Sequence, residues 1–188
     1  EAKRVADFVV VNVSSPNTKD LRAMQGAEIA RLLLTELSHA NLEPRVPLLV
    51  KIAPDLSDAD IEALLAVVDE AKLDGVIATN TTIARTGLRT SAARVNAIGA
   101  GGLSGPPLRA RALEVVARVR ARLGSRVTVI GVGGVETADD VLALVRAGAD
   151  LVQMYTGFIY GGPFVASTIA RDLSRRLDAA RASSIAAL

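Results

Sequence analysis

Cysteine is absent from the 188 residues. That excludes a disulfide framework, a thiolate metal site and a cysteine nucleophile. Histidine occurs once, as His39, inside a stretch with helical spacing. A lone imidazole lacks the clustered ligands that metal sites need, so His39 reads as a surface or boundary residue and no metal is expected. Aromatic residues make up 3 % of the chain, and no basic stretch is interleaved with them. Nucleic-acid binding is therefore not expected. Lysine is scarce, with four against eighteen arginines, so a lysine in an apolar setting calls for an explanation. No run of about 18 apolar residues occurs, so no transmembrane helix is expected within the chain.

What is present is apolar. Half of the residues are hydrophobic and the net charge is +2, which suits one sizeable core or a large piece of a bigger one. Glu1 to Asp7 reads as the end of a helix running into an apolar strand, rather than as a signal peptide. The chain is therefore expected to begin in mid-fold, as part of a longer protein.

Five Val- and Ile-rich runs of strand length follow: Phe8 to Val13, Pro47 to Ile52, Gly75 to Thr79, Val127 to Val132 and Leu151 to Tyr155. Each is apolar throughout, the pattern of strands buried on both faces. Helical periodicity fills the intervals over Gly26 to Ala40, Ser57 to Lys72, Pro107 to Leu123, Thr137 to Ala147 and Pro163 to Leu177. Ser57 and Thr137 are suited to N-capping. Strand and helix alternate five times, which implies a parallel sheet covered by helices. A doubly wound sheet and a (β/α)8 barrel both satisfy that order.

The unusual residues fall at one end of every strand. The first is followed by Asn12 and Ser14-Ser15-Pro16-Asn17-Thr18, and the second ends at Lys51 before Ala53-Pro54-Asp55. The third ends in Thr79-Asn80-Thr81-Thr82, the fourth in Gly131-Val132-Gly133-Gly134, and the fifth in Gln153-Met154-Tyr155-Thr156-Gly157. In parallel α/β folds the strand C-termini carry the active site. Lys51 follows Leu48-Leu49-Val50, and a buried cation without a partner is unfavourable, so it reads as a ligand contact. Gly133-Gly134 lies between a buried strand and a helix, where backbone N–H groups can approach an anion. Tyr155-Thr156-Gly157 supplies further donors. Barrels bind phosphate with the loops after strands seven and eight. On that reading the chain covers strands 4–8 of a barrel. The glycine run Gly101 to Pro107 matches neither a Walker loop nor a dinucleotide fingerprint, which disfavours the doubly wound alternative.

Six of these segments, in order, resemble the dihydroorotate dehydrogenase family. They are Asn12-Val-Ser-Ser-Pro-Asn-Thr18, Lys51-Ile-Ala-Pro-Asp-Leu56, Ala78-Thr-Asn-Thr-Thr82, Gly101-Gly-Leu-Ser-Gly-Pro106, Gly131-Val-Gly-Gly134 and Gln153-Met-Tyr-Thr-Gly-Phe158. The resemblance runs from about residue 5 to residue 177. It implies a (β/α)8 TIM barrel holding FMN at its C-terminal face, with the whole chain forming the C-terminal part of that single domain. It implies Ser15 as the base that takes the C5 proton of dihydroorotate. It implies Asn12, Asn17, Asn80 and Thr81 as substrate contacts, and Asn12, Lys51, Thr79, Gly105, Gly134, Tyr155 and Thr156 as FMN contacts.

Serine at position 15, where the soluble class carries cysteine, implies the quinone-dependent class, peripheral on the cytoplasmic side of the cell membrane. The membrane-docking elements, the quinone site and further contacts are then expected N-terminal to Glu1. Lys19-Asp20 stand where the family's loop has Pro-Gly. Three other readings compete: a flavin barrel of the dihydropyrimidine dehydrogenase kind, which needs cysteine; a non-redox phosphate-binding barrel lyase or isomerase, which would not need the Asn12–Thr18 run; and a catalytically incomplete half-barrel.

Overall fold

The structure, a computed structural model, describes residues 5–18, 21–41 and 45–188. Five strands, β1 (Val9–Asn12), β2 (Leu48–Ile52), β3 (Gly75–Ala78), β4 (Thr128–Val132) and β5 (Leu151–Gln153), form one parallel sheet in the order β1-β2-β3-β4-β5. Each lies within the run expected for it. A doubly wound sheet reverses its strand order at a switch point; this one never reverses. Right-handed crossovers between successive neighbours then place every helix on the same face. That is the arrangement of a barrel wall.

The two faces of the sheet bear this out. On the helix-covered face, Leu48, Val50, Ile52, Val76, Ala78 and Val129 join Ile61, Leu64, Leu65, Val115 and Val119 in the main core. The opposite face carries a small separate cluster of Leu49, Ile77 and Ile130, with Val10 and Val132 against it. Side chains alternate along a strand, and the register pairs Asn12 with Lys51, Lys51 with Ile77, and Ile77 with Ile130. Lys51 therefore stands on the inward face beside Asn12, directly above Leu49.

The full burial expected of all five strands holds for β3 and nearly for β2 and β4. It fails at β1 and β5, which are edge strands, with Leu151 58 % exposed. The helix end expected over residues 1–7 lies outside the described residues at 1–4, and residues 5–7 are turn and bend rather than helix.

The helices are α1 (Ala27–Ala40), α2 (Asp58–Glu70), α3 (Ala92–Ile98), α4 (Arg109–Leu123), α5 (Ala138–Arg146), α6 (Thr156–Gly161) and α7 (Val165–Ala180). The Ser57 hydroxyl accepts from the Asp60 N–H at the start of α2, and Thr137 forms a capping box with Asp140 at the start of α5, as their sequence positions suggest. The short helices α3 and α6 have no counterpart in the hydrophobic periodicity.

Carboxylates secure the N-terminal ends of the strands. Asp74 accepts from the Leu48 N–H at 2.8 Å and Asp150 from the Val129 N–H at 2.8 Å, and each also pairs with an arginine, Arg45 and Arg120.

Leu64 is wholly buried between α2 and the sheet. Leu64→Ala is expected to lower the unfolding free energy by about 2–5 kcal/mol. A fall in the urea midpoint with an unchanged slope checks this.

Candidate active site

The C-terminal ends of β1 to β5 and their following loops converge, as parallel strands require. A cavity of about 290 Å³ opens there, lined by Lys51, Thr79, Asn80, Thr81, Gly105, Gly134, Tyr155 and Thr156 among others. These are eight of the eleven residues assigned from sequence. The remaining three, Asn12, Ser15 and Asn17, do not line it. They stand beside it on the loop of the edge strand β1, and Asn80 links the two groups.

That link is a network of amides and hydroxyls. The Asn80 side-chain N–H₂ donates to Ser14 Oγ at 2.9 Å and to Asn12 Oδ1 at 3.3 Å. Ser14 Oγ donates to Asn12 Oδ1 at 3.1 Å. Asn80 Oδ1 accepts from the Thr81 N–H at 2.8 Å. Asn80 both donates and accepts while Asn12 Oδ1 accepts from Asn80 and Ser14, so the cluster holds itself in place. The two adjacent serines differ in kind. Ser14 is fully buried and committed to this network. Ser15 is only partly covered, and its Oγ accepts from the Asn17 N–H at 3.3 Å. A donor aimed at Oγ favours the deprotonated form of that group.

Lys51 enters the cavity from the inward face of β2. Burial pushes its ammonium below the ordinary lysine range. Among the described residues no carboxylate pairs with it. A desolvated, unpaired cation in a cavity suits an electron-rich or anionic ligand.

Three loops build the other wall. Gly105, Gly133 and Gly134 all have positive φ, at 84°, 148° and 69°, a region open to glycine and strained for other residues. A Cβ on Gly134 would stand 3.0 Å from the Gly105 carbonyl oxygen, and one on Gly157 would stand 2.1 Å from that of Val135. Glycine thus lets the loop after β4 close on the turn before α4, and the loop after β5 close on the loop after β4. Thr156 Oγ1 donates to Ser104 Oγ at 2.7 Å across the same gap. Arg109 donates to the Gly134 carbonyl at 3.0 Å and pairs with Asp140 at 2.9 Å, which fixes the Gly133-Gly134 turn. Backbone-rich turns after the last two strands, followed by the short helix α6, match the anion-binding corner of barrel enzymes. The cavity thus has a cationic side chain at one wall and glycine-rich turns suited to an anion at the other.

Ser104, Leu108, Val132, Val135 and Met154 also line the cavity, without having been candidates from the sequence. Arg22 and Gln25 were passed over, and Asp55 entered only within the run that follows Lys51; all three brace the loops from behind. The apolar ones carry no sequence signal beyond their nearness to the glycines. Arg22 and Asp55 look like any surface charges until the fold brings them together. The departure at Lys19-Asp20 lies outside the described residues.

Fold and site together define a segment of a parallel β/α barrel with an anion cradle, a half-buried lysine and an amide-lined face. Comparison with known proteins narrows that class. A sequence model described as "Dihydroorotate dehydrogenase" matches residues 1–177. A Rhodococcus erythropolis protein named dihydroorotate dehydrogenase (quinone) is 54 % identical over 182 residues, 97 % of this chain and 50 % of that protein. One of the same name from Thermobifida fusca is 57 % identical over 162 residues, 85 % of this chain and 43 % of that protein. Among solved structures, ligand-free DHODH from Eimeria tenella aligns with a TM-score of 0.86 at 37 % identity, covering 95 % of this chain and 53 % of that one. The ferulenol complex from the same organism gives 0.89 at 35 % identity, covering 97 % and 53 %. The chain belongs to the dihydroorotate dehydrogenase family. It spans about half the length of the curated relatives it matches, and its five strands are part of a barrel.

The burial of Lys51 has a pH consequence. Its folded-state pKa lies below 10.5, so the charged ammonium opposes folding at every pH below that lowered value. The penalty fades as pH rises from there towards 10.5. Lys51→Met is therefore expected to melt higher than the parent at neutral pH, with the gap narrowing in alkaline buffer, while flavin affinity falls. Thermal melts of ligand-free protein across pH, with flavin titrations alongside, check both halves.

Proposed function

We propose that this chain is the C-terminal part of a single FMN-binding (β/α)8 barrel domain that oxidises (S)-dihydroorotate to orotate with a quinone as acceptor, in de novo UMP biosynthesis. One observation carries the reading: Ser15, with an N–H aimed at its Oγ, stands beside the Asn12–Asn80 amide network at the strand end that also holds Lys51 and the glycine cradle.

The residues present fit FMN. Gly105, Gly134, Tyr155 and Thr156 would hold its phosphate end, and Lys51, Thr79 and Asn12 its ring. FMN, when bound, supplies an acceptor for the hydride from C6 of the substrate and passes the electrons on.

The chain's own residues do the rest. Asn12, Asn17, Asn80 and Thr81 orient a planar substrate rich in amide-like groups through paired donors and acceptors. Ser15 takes the C5 proton; a serine is a weak base, and the Asn17 N–H on its Oγ supports the charge that develops there. Lys51 supplies a fixed positive charge beside the site of reduction, and as a preorganised group it needs no rearrangement. Substrate, quinone and peripheral attachment to the cytoplasmic face of the cell membrane belong to the same reading. The family class supports them, with docking elements and quinone site assigned to the barrel's N-terminal part. Among the described residues no helix is long and apolar enough to cross a membrane.

The test joins this chain to the N-terminal half of the Rhodococcus erythropolis relative to complete the barrel. The purified protein is expected to be yellow, to bleach anaerobically with dihydroorotate, and to recover with a quinone but not with fumarate. Ser15→Ala is expected to keep the flavin and bleach about 10²- to 10⁴-fold more slowly. A protein that stays colourless after reconstitution with FMN overturns the reading. A yellow one that dihydroorotate leaves unbleached retains the cofactor and loses the substrate.

A further inference from the structure

Arg22 has no place among the substrate or cofactor contacts, yet it touches every loop that bears them on this side of the barrel. It lies in the short 3-10 turn Leu21–Gln25 that follows the Ser15 loop. Its Nε donates to the Ser14 carbonyl at 3.2 Å, its Nη2 to the Thr81 carbonyl at 2.9 Å, and its Nη1 to Asp55 Oδ2 at 2.6 Å. Asp55, on the loop after β2, in turn accepts from the Ile83 N–H at 3.1 Å and from the Thr82 hydroxyl. The turn itself is anchored from its far end, where the buried Gln25 side-chain oxygen accepts from the Ala53 N–H at 2.8 Å.

We infer that the Arg22–Asp55 pair is a positioning device that locks the loop of the base Ser15 to the loop of the substrate residues Asn80 and Thr81. The inference rests on the function proposed above. The Ser14 carbonyl belongs to the peptide unit that leads into Ser15, so the bond from Nε fixes the plane from which the Ser15 side chain departs. The Thr81 carbonyl belongs to the peptide unit after the residue whose N–H is held by Asn80. One planar guanidinium therefore sets the base and the substrate amides against each other. The side chains of Arg22 and Asp55 are 22 % and 19 % exposed, so water competes little for these bonds.

Guanidinium is needed for its shape. A fork of fixed N–H groups can serve two carbonyls and a carboxylate at once; a lysine ammonium keeps the charge and the ion pair but cannot span all three. Arg22→Lys thus separates positioning from charge. In the reaction the C5–H bond breaks with its proton going to Ser15 Oγ, and the C6 hydrogen leaves with its electron pair to the flavin. Displacing the base should slow the first transfer in particular.

The experiment uses the holoenzyme of the completed barrel. Arg22→Lys is expected to retain FMN and a cooperative melt while bleaching with dihydroorotate about 100-fold more slowly, with a larger isotope effect from deuterium at C5 than in the parent. Asp55→Asn is expected to lose rate in the same direction. Independently of substrate, amide hydrogen exchange over residues 12–18 is expected to run about tenfold faster in Arg22→Lys. Rates within about threefold of the parent and an unchanged C5 isotope effect overturn the inference, since charge alone would then suffice. Loss of FMN or of the cooperative melt in both variants overturns it too, by making the pair a folding determinant. If dihydroorotate fails to bleach the parent, the proposed function falls and the exchange comparison alone decides the coupling, with unaltered exchange counting against it.

Discussion

A parallel sheet whose strands follow one another in sequence order can be covered by helices on one face only. The other face must close on itself or stay open, and almost everything in this molecule depends on that constraint. It gives each strand two unlike sides. Val50 and Ile52 meet helices, while Leu49 and Lys51 look inward. It also gathers all five C-terminal strand ends at one rim, so that a short loop after each strand suffices to bring Ser15, Lys51, Asn80, Gly134 and Thr156 into one neighbourhood.

The two rims are held by different chemistry. At the N-terminal rim, Asp74 and Asp150 accept from strand N–H groups and pair with Arg45 and Arg120. Those charges are matched in pairs. At the C-terminal rim the matched pairs, Arg22 with Asp55 and Arg109 with Asp140, sit behind the loops and grip their backbone. What faces the cavity is amides, hydroxyls, glycine backbone, a few apolar side chains such as Leu108 and Met154, and one lysine that has no anionic partner among the described residues. Stability and binding are thus divided between the ends of the same strands, as in barrel enzymes generally.

Much of this was legible in the linear order of residues. Five apolar runs gave the strands, with errors confined to the ends, because strand residues packed on both faces leave no polar position to mistake. Lys51 stood out because it interrupts such a run in a chain that otherwise uses arginine. The glycine pairs stood out because they fall between a strand and a helix. The helices α3 and α6 were illegible: each is too short for a periodic face, and α6 exposes Phe158, Ile159 and Tyr160 rather than burying a stripe. The exposed edges β1 and β5 were misjudged for a related reason, since an apolar sequence records what a strand can bury and not what happens to cover it in a given length of chain.

The sequence by itself determined the element order, the end of the strands at which the chemistry collects and, through the six ordered motifs, the family. Those properties are local or depend on spacing along the chain. Tertiary structure decided the rest. It chose the barrel wall over the doubly wound sheet, because strand order is a matter of who neighbours whom. It separated Ser14, sealed into the amide network, from Ser15, half-exposed beside it with the Asn17 N–H on its Oγ. It also made a working pair of Arg22 and Asp55, thirty-three residues apart. Hydrogen bonds between loops have no periodicity to announce them, so they become visible only once the sheet has brought the loops together.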